Sequence, residues 1–386
     1  MKRYFLILTT MGLFGKKEIN VIGVDIGTSS IKLIELQKKD GKAELVTYGF
    51  VDHFEGEILG IERQDTTAIA HFINQIHQKS QCSTSSAIAA LPTYSVFTSL
   101  MTLPTMKKEE LDSAIHWEAK KIIPLPLEEI VLDYRILNAP PKKGGLGISV
   151  GKKKKEEPKE GEDQPQYKIL VTGASREMVN RYTEIFQKSG LTLKSLETEM
   201  FAIARALVGD DTGEHMIVEI GAATTDLIIV ENSVPFLGRS IESGGYAMTR
   251  AIMNSLNINQ KRAEQLKRDI GLLSYDESAG AGGVPDILKS SIEPILHEIR
   301  YTLDLYRDHA VKPSEKATGV IEKIILTGGT ALLPGIADYF SKVLDMRVVL
   351  GDPWERVHYQ QDLKPLLATI GPKFSVSIGL ALREVL

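Results

Sequence analysis

A strand, a glycine turn and a second strand are written twice in this chain, as VDIGTSSIKLI at residues 24–34 and VEIGAATTDLI at residues 218–228. The copies agree at Val, Ile, Gly, Leu and the final Ile, and each carries an acid two residues before its glycine. A repeat at this separation constrains the chain to two related halves, each opening on the same hairpin.

The residue types at the turns state the chemistry. Gly27 and Gly221 let the backbone bend tightly, and the residues that follow are small: Thr28, Ser29 and Ser30 in one copy, Ala222, Ala223, Thr224 and Thr225 in the other. Backbone N–H groups and hydroxyls then approach a polyphosphate closely, which large side chains would prevent. The strand-end acids Asp25 and Glu219 are placed for Mg2+, which takes one or two carboxylates together with phosphate oxygens and water. One copy alone is an ordinary glycine hairpin. Two of them predict a nucleoside triphosphate and its metal held between two half-domains.

Composition excludes several classes. With 386 residues, 43% hydrophobic and 25% charged, the chain reads as an ordinary globular protein of two or more domains. A formal net charge of -4 gives no basic field for nucleic acid. The single cysteine, Cys82, has no partner for an intrachain disulfide or a metal cluster, which suits a reducing cytoplasm. MKRYFLILTT begins like a secretory signal, but its apolar run is short and Lys16 and Lys17 follow; Met11 is an alternative start, and residues 1–18 read as a flexible segment. No run approaches the roughly eighteen uninterrupted apolar residues of a membrane span, so no bilayer crossing is expected.

Along the chain, residues 21–25, 31–36 and 43–51 read as strands, 66–80 as a helix and 87–92 as a short buried strand. A strand at 95–104 and an amphipathic helix over about 107–123 follow, the helix stopped by Pro124 and Pro126. Strands at 128–137 and 167–175 precede a helix ended by Gly190. The stretch 138–166, rich in Gly, Pro, Lys and Glu, reads as a mobile surface loop, its lysines 152–155 a solvated tract. In the second half, Gly244 and Gly245 precede a helix at 246–256, then helices at 260–271 and 286–309, the latter with a bend at Pro294. Residues 321–344 read as strand, double-glycine turn and helix, a place where the backbone admits a flat ligand beside a helix N-terminus.

The order of two phosphate hairpins, an E-x-x-K helix and T-G-G-x-x-x-x-P-G resembles the actin, Hsp70 and sugar-kinase superfamily. Three segments, 11–36, 103–137 and LETEMFAIARAL at 196–207, are similar to the PilM family of actin-like proteins of the type IV pilus inner-membrane platform, and the resemblance runs from about Met11 to the C-terminus. It implies an α/β, actin-like two-lobed fold of duplicated ribonuclease-H-like domains, with a small α+β domain of SHS2 type inserted in the first lobe. The implied boundaries are 19–93 plus 191–212 for the first lobe core, 94–190 for the insertion, 213–248 plus 319–386 for the second lobe core and 249–318 for a helical subdomain. The related FtsA proteins carry a C-terminal amphipathic membrane helix; this chain stops at SVSIGLALREVL, which favours PilM.

The resemblance also implies roles. Asp25 and Glu219 would serve Mg2+; Gly27, Thr28, Ser29, Ser30, Gly221, Ala222, Ala223 and Thr224 the phosphates of ATP or ADP; Gly244 and Gly245 the border of the nucleotide. Glu264 and Lys267 would touch ribose and adenine, the alternative being a surface ion pair, and Gly328, Gly329 and Thr330 would pack on the adenosine. Glu199 would orient the attacking water, with Glu197 as competitor, and the longer Glu219 in place of the usual Asp makes hydrolysis slow or conditional. The implied partner is the N-terminal cytoplasmic peptide of a PilN-like bitopic inner-membrane protein, docked between the first lobe and the inserted domain, with the pilus motor ATPases as further contacts and peripheral attachment to the inner membrane through partners. An FtsA-like filament-forming ATPase and a small-molecule kinase of the same superfamily are the alternatives.

Overall fold

The computed structural model describes residues 19–52, 65–123, 126–137, 166–273, 283–310 and 319–386. The segment 1–18 lies outside them, as does the loop expected at 138–166 except Gln166, which opens a strand. Contacts gather the chain into two compact units, Val96–Glu177 and a larger one made of Met1–Ser95 with Met178–Leu386.

Within the larger unit, two five-stranded sheets share one plan. The first has the order β3 (Lys42–Asp52), β2 (Ser30–Lys39), β1 (Asn20–Ile26), β4 (Ser86–Leu91), β8 (Thr192–Thr198). The second has the order β11 (Val234–Ile241), β10 (Thr225–Glu231), β9 (Glu214–Ile220), β12 (Lys323–Thr327), β13 (Val348–Leu350). In each, three strands meander antiparallel and two more join in parallel beside the first. Parallel joins need crossovers, supplied by α1 (Thr66–Lys79) in one half and by α5 (Gly245–Leu256), α6 (Gln260–Ile270) and α7 (Val284–Ala310) in the other. The duplication read in the hairpins is thus a duplication of whole sheets, and the fold is the actin-like two-lobed α/β architecture.

The hairpin strands are buried along nearly their whole length because helices cover them. In the first lobe, Val21, Ile34, Leu36, Ile88 and Ala90 share a core with Ala202 and Ile203 of α4 (Glu199–Leu207) and with Val376, Ile378, Leu380 and Leu382 of α10 (Ser375–Val385). Two glycines let α10 come so close: a Cβ on Gly23 would collide with the Ser377 carbonyl, and one on Gly379 with the Ala202 carbonyl. Residues Gln361–Val385, which take in α9 (Lys364–Ile370) and α10, are, among the described residues, long and apolar enough to cross a membrane, at a mean hydropathy of 1.4; 67% of that window is buried inside the protein, where core packing accounts for its apolarity. In the second lobe, Met216, Val218, Leu227 and Ile229 meet Ile252 of α5, Ile292, Ile295 and Ile299 of α7, and Phe340 of α8 (Ile336–Leu344). Pro294 lies inside α7, and its buried neighbours hold the helix through it.

The smaller unit is an antiparallel sheet of order β5 (Val96–Pro104), β7 (Gln166–Ser175), β6 (Ile130–Ile136), with α2 (Lys108–Ile122) burying Leu111, Ile115 and Ala119 against Met101, Ile169 and Val171. The helix that follows, α3 (Arg176–Ser189), is grouped with the larger unit from Met178 onward. It is bonded to α1, where Thr66 Oγ1 donates to Glu184 Oε1 at 3.0 Å and Asn74 Nδ2 donates to the Ser189 carbonyl at 3.2 Å.

Candidate functional site

Both hairpins turn by the same bond. Gly27 N–H donates to the Ser30 carbonyl at 3.0 Å, and Gly221 N–H donates to the Thr224 carbonyl at 2.9 Å. Strand register then fixes what faces each acid: Asp25 stands opposite Lys32 on β2, and Glu219 stands opposite Asp226 on β10. Both turns open on one cavity of about 440 Å³, within the range of ligand sites.

Most of the expected residues line it: Asp25, Gly27, Thr28, Ser29, Ser30, Glu199, Glu219, Gly221, Ala222, Thr224, Gly245, Glu264, Lys267, Gly329 and Thr330. Ala223, Gly244 and Gly328 do not. Gly328 has φ +88, and a Cβ there would stand 2.5 Å from the Ile220 carbonyl; at Gly244 it would stand 2.8 Å from the carbonyls of Gly221 and Ala222. At these two glycines the missing Cβ lets one backbone pass close against another.

The second loop is stitched to its surroundings. Gly245 and Tyr246 N–H groups, at the start of α5, donate to the Gly221 and Ala222 carbonyls at 3.0 and 2.8 Å, and Thr330 Oγ1 donates to the Gly221 carbonyl at 2.9 Å. Further along the cavity, Lys267 is no surface residue: it is 6% exposed. Its ammonium lies 2.7 Å from Glu264 Oε2 and donates to the Gly245 carbonyl and to Thr249 Oγ1. Arg268 Nε donates to Glu264 Oε1 at 2.8 Å. Burial opposes ionisation of Glu264, but Lys267, Thr249 and Arg268 outweigh it and bring the carboxyl down to about 2.

The two acids around α4 have separate fates. Glu197 is held bidentately by Arg205 at 2.6 and 2.9 Å, and Arg205 also donates to the Gly379 carbonyl. Glu199, the first residue of α4, lines the cavity and accepts from the Thr93 N–H at 3.0 Å. Of the two, Glu199 is the one on the cavity.

Carboxyls crowd one another in the cavity. Glu199, Glu219 and Asp226 have carboxyls raised above the usual range, first by burial; for Glu219 the charges of Asp226 and Asp25 follow, and for Glu199 those of Asp226, Asp25 and Glu219. Lys32 Nζ, 2.8 Å from Asp25 Oδ2, would be lowered by burial, but Asp25, Glu219 and Glu199 hold it raised. Asp226 Oδ1 is buried without a hydrogen-bond partner. Among the described residues no three His, Cys, Asp or Glu side chains form a metal cluster. Carboxylates offered singly beside an orphaned oxygen suit a hard cation that completes its shell with phosphate and water.

Sequence reading missed Lys32, Asp226, Arg268 and Lys373, all on the cavity. The first two were within reach, since each lies across a hairpin from an acid already singled out, and antiparallel register was the signal. Lys373 comes from a distant turn, Gly371–Phe374, and had none.

The family model described as type IV pilus assembly protein PilM matches residues 23–148 and 154–385. Cell division protein FtsA of Enterococcus faecalis is 22% identical over 355 residues, covering 86% of this chain and 78% of that protein. FtsA of Pseudomonas aeruginosa is 22% identical over 395 residues, covering 93% and 88%. Among solved structures, a PilM-PilN type IV pilus biogenesis complex superposes with a TM-score of 0.76 at 24% identity, covering 95% of this chain and 99% of that one. MreB 5 of Spiroplasma citri bound to AMPPNP gives 0.51 at 14% identity, covering 95% and 96%. The structural likenesses bear on the fold, and the family match spans nearly the whole sequence: this chain belongs to the type IV pilus assembly protein PilM family.

Proposed function

We propose that this protein binds ATP with Mg2+ between its two phosphate hairpins and, in that state, receives the N-terminal cytoplasmic peptide of a PilN-like bitopic inner-membrane protein as part of the type IV pilus assembly platform. The observation that carries the nucleotide reading is the convergence of both glycine turns, Asp25, Glu219 and Asp226 on one cavity. Gly27 to Ser30 and Gly221 to Thr224 present backbone N–H groups and hydroxyls to phosphates, Asp25 and Glu219 hold the cation, and Glu264, Arg268, Gly329 and Thr330 border the nucleoside. Mg2+ supplies charge neutralisation at the phosphates. Glu199, fixed through one oxygen by Thr93 N–H, orients the water of a slow hydrolysis.

The partner reading rests on family membership and on the likeness to a PilM-PilN complex. It places the protein on the cytoplasmic face of the inner membrane, attached through its partners. Nucleotide control requires different partner affinity in the two states. Calorimetry of the PilN-like peptide with and without Mg-ATP tests this: binding that strengthens with nucleotide is expected, and no binding in either state would overturn it.

A further inference from the structure

The two hairpins repeat in register but not in charge. Where the second copy sets Asp226 across from Glu219, the first sets Lys32 across from Asp25. The Lys32 ammonium lies 2.8 Å from Asp25 Oδ2, with the two side chains 14% and 6% exposed. It also lies 3.5 Å from where a Cβ on Gly27 would stand, so it reaches the turn of the first phosphate loop as well as the acid. It shares the cavity with the carboxylates of Asp25, Glu199, Glu219 and Asp226.

We propose that Lys32 is a resident counter-cation that makes entry of the divalent cation conditional on nucleotide. In the nucleotide-free protein its ammonium engages Asp25, the carboxylate that a divalent cation needs, and a second cation on the same carboxylate meets direct repulsion in a site shielded from water. The phosphates of an arriving nucleotide offer Lys32 another acceptor beside Gly27, which frees Asp25. Cation and nucleotide therefore load together. Lys32 acts here as a positioning residue, and the inference rests on the proposed nucleotide site.

The test is a titration of nucleotide-free protein with Mn2+, reading free Mn2+ by electron paramagnetic resonance, on wild type, Lys32→Met and Lys32→Arg. Wild type and Lys32→Arg are expected to leave micromolar Mn2+ free, and Lys32→Met to bind it about tenfold tighter or more. Lys32→Met, folded by circular dichroism, with wild-type Mn2+ affinity overturns the proposal. So does wild type that takes up micromolar Mn2+ without nucleotide, a result that needs no variant to fold. Mn2+ behaviour as expected with no ATP binding at all would instead sink the nucleotide reading and leave the pairing of Lys32 with Asp25 standing.

Discussion

Lys32 faces Asp25 across the first phosphate hairpin, its Nζ 2.8 Å from Oδ2, while the residue at the same register in the second hairpin is an acid, Asp226 facing Glu219. The duplication therefore preserved geometry and changed charge. One side of the cavity carries an ion pair and the other two facing carboxyls, Asp226 buried and Glu219 half-buried.

Glu197 and Glu199 should separate cleanly. Glu197→Gln breaks a bidentate pair with a largely buried Arg205 and is expected to lower stability by about 3 kcal/mol. Glu199→Gln removes an ionisation that burial already opposes and keeps an acceptor for Thr93 N–H, so stability should hold or rise while ATP turnover falls. Denaturant melts and a phosphate-release assay on both variants read the difference; equal destabilisation would show the assignment to be wrong.

Gly328 is fixed by its backbone. At φ +88, with the Ile220 carbonyl 2.5 Å from a prospective Cβ, Gly328→Ala combines left-handed strain with a clash and should cost about 2 kcal/mol or more. Gly329→Ala meets only the Lys373 side chain, no closer than 3.8 Å. Its stability should stay near wild type, and thermal melts of the pair provide the comparison.

Stability of the nucleotide-free protein should depend on pH through Glu219. Its carboxyl moves from an ordinary 4.5 to about 8, first through burial and then through the charges of Asp226 and Asp25. Between those values the unfolded chain has released a proton that the folded protein keeps, so stability falls as pH rises through the window. Glu219→Gln should flatten that fall in denaturant melts from pH 5 to 8, and an unchanged slope would count against the assignment. Glu264 works in the opposite sense and elsewhere: lowered to about 2, it contributes fully above 4.5 and loses its contribution as pH falls toward 2.

Much of this was legible in the sequence because the hairpins announce themselves by alternation and glycine. β8 was not, since its residues Thr192–Thr198 form a half-exposed edge with no clean period. α10 was not, because a helix buried on every side has no polar face to reveal its pitch. At the site, attention to the turns found the residues that approach a phosphate but not those across the ladder. Lys32 and Asp226 are visible only once the strands are paired in register. Lys267 could not be told from a surface pair by i, i+3 spacing alone; its burial beneath Gly245 and Thr249 is a product of tertiary packing.

The central claim is that a nucleotide and its cation are held at Asp25 between the two hairpins. Calorimetric titration of Mg-ATP into wild type and Asp25→Asn, which keeps the shape and removes the charge, tests it most directly. Saturable binding by wild type, weakened about tenfold or more by Asp25→Asn, is the predicted result. Equal affinity in the two proteins, or no binding by wild type, would contradict it.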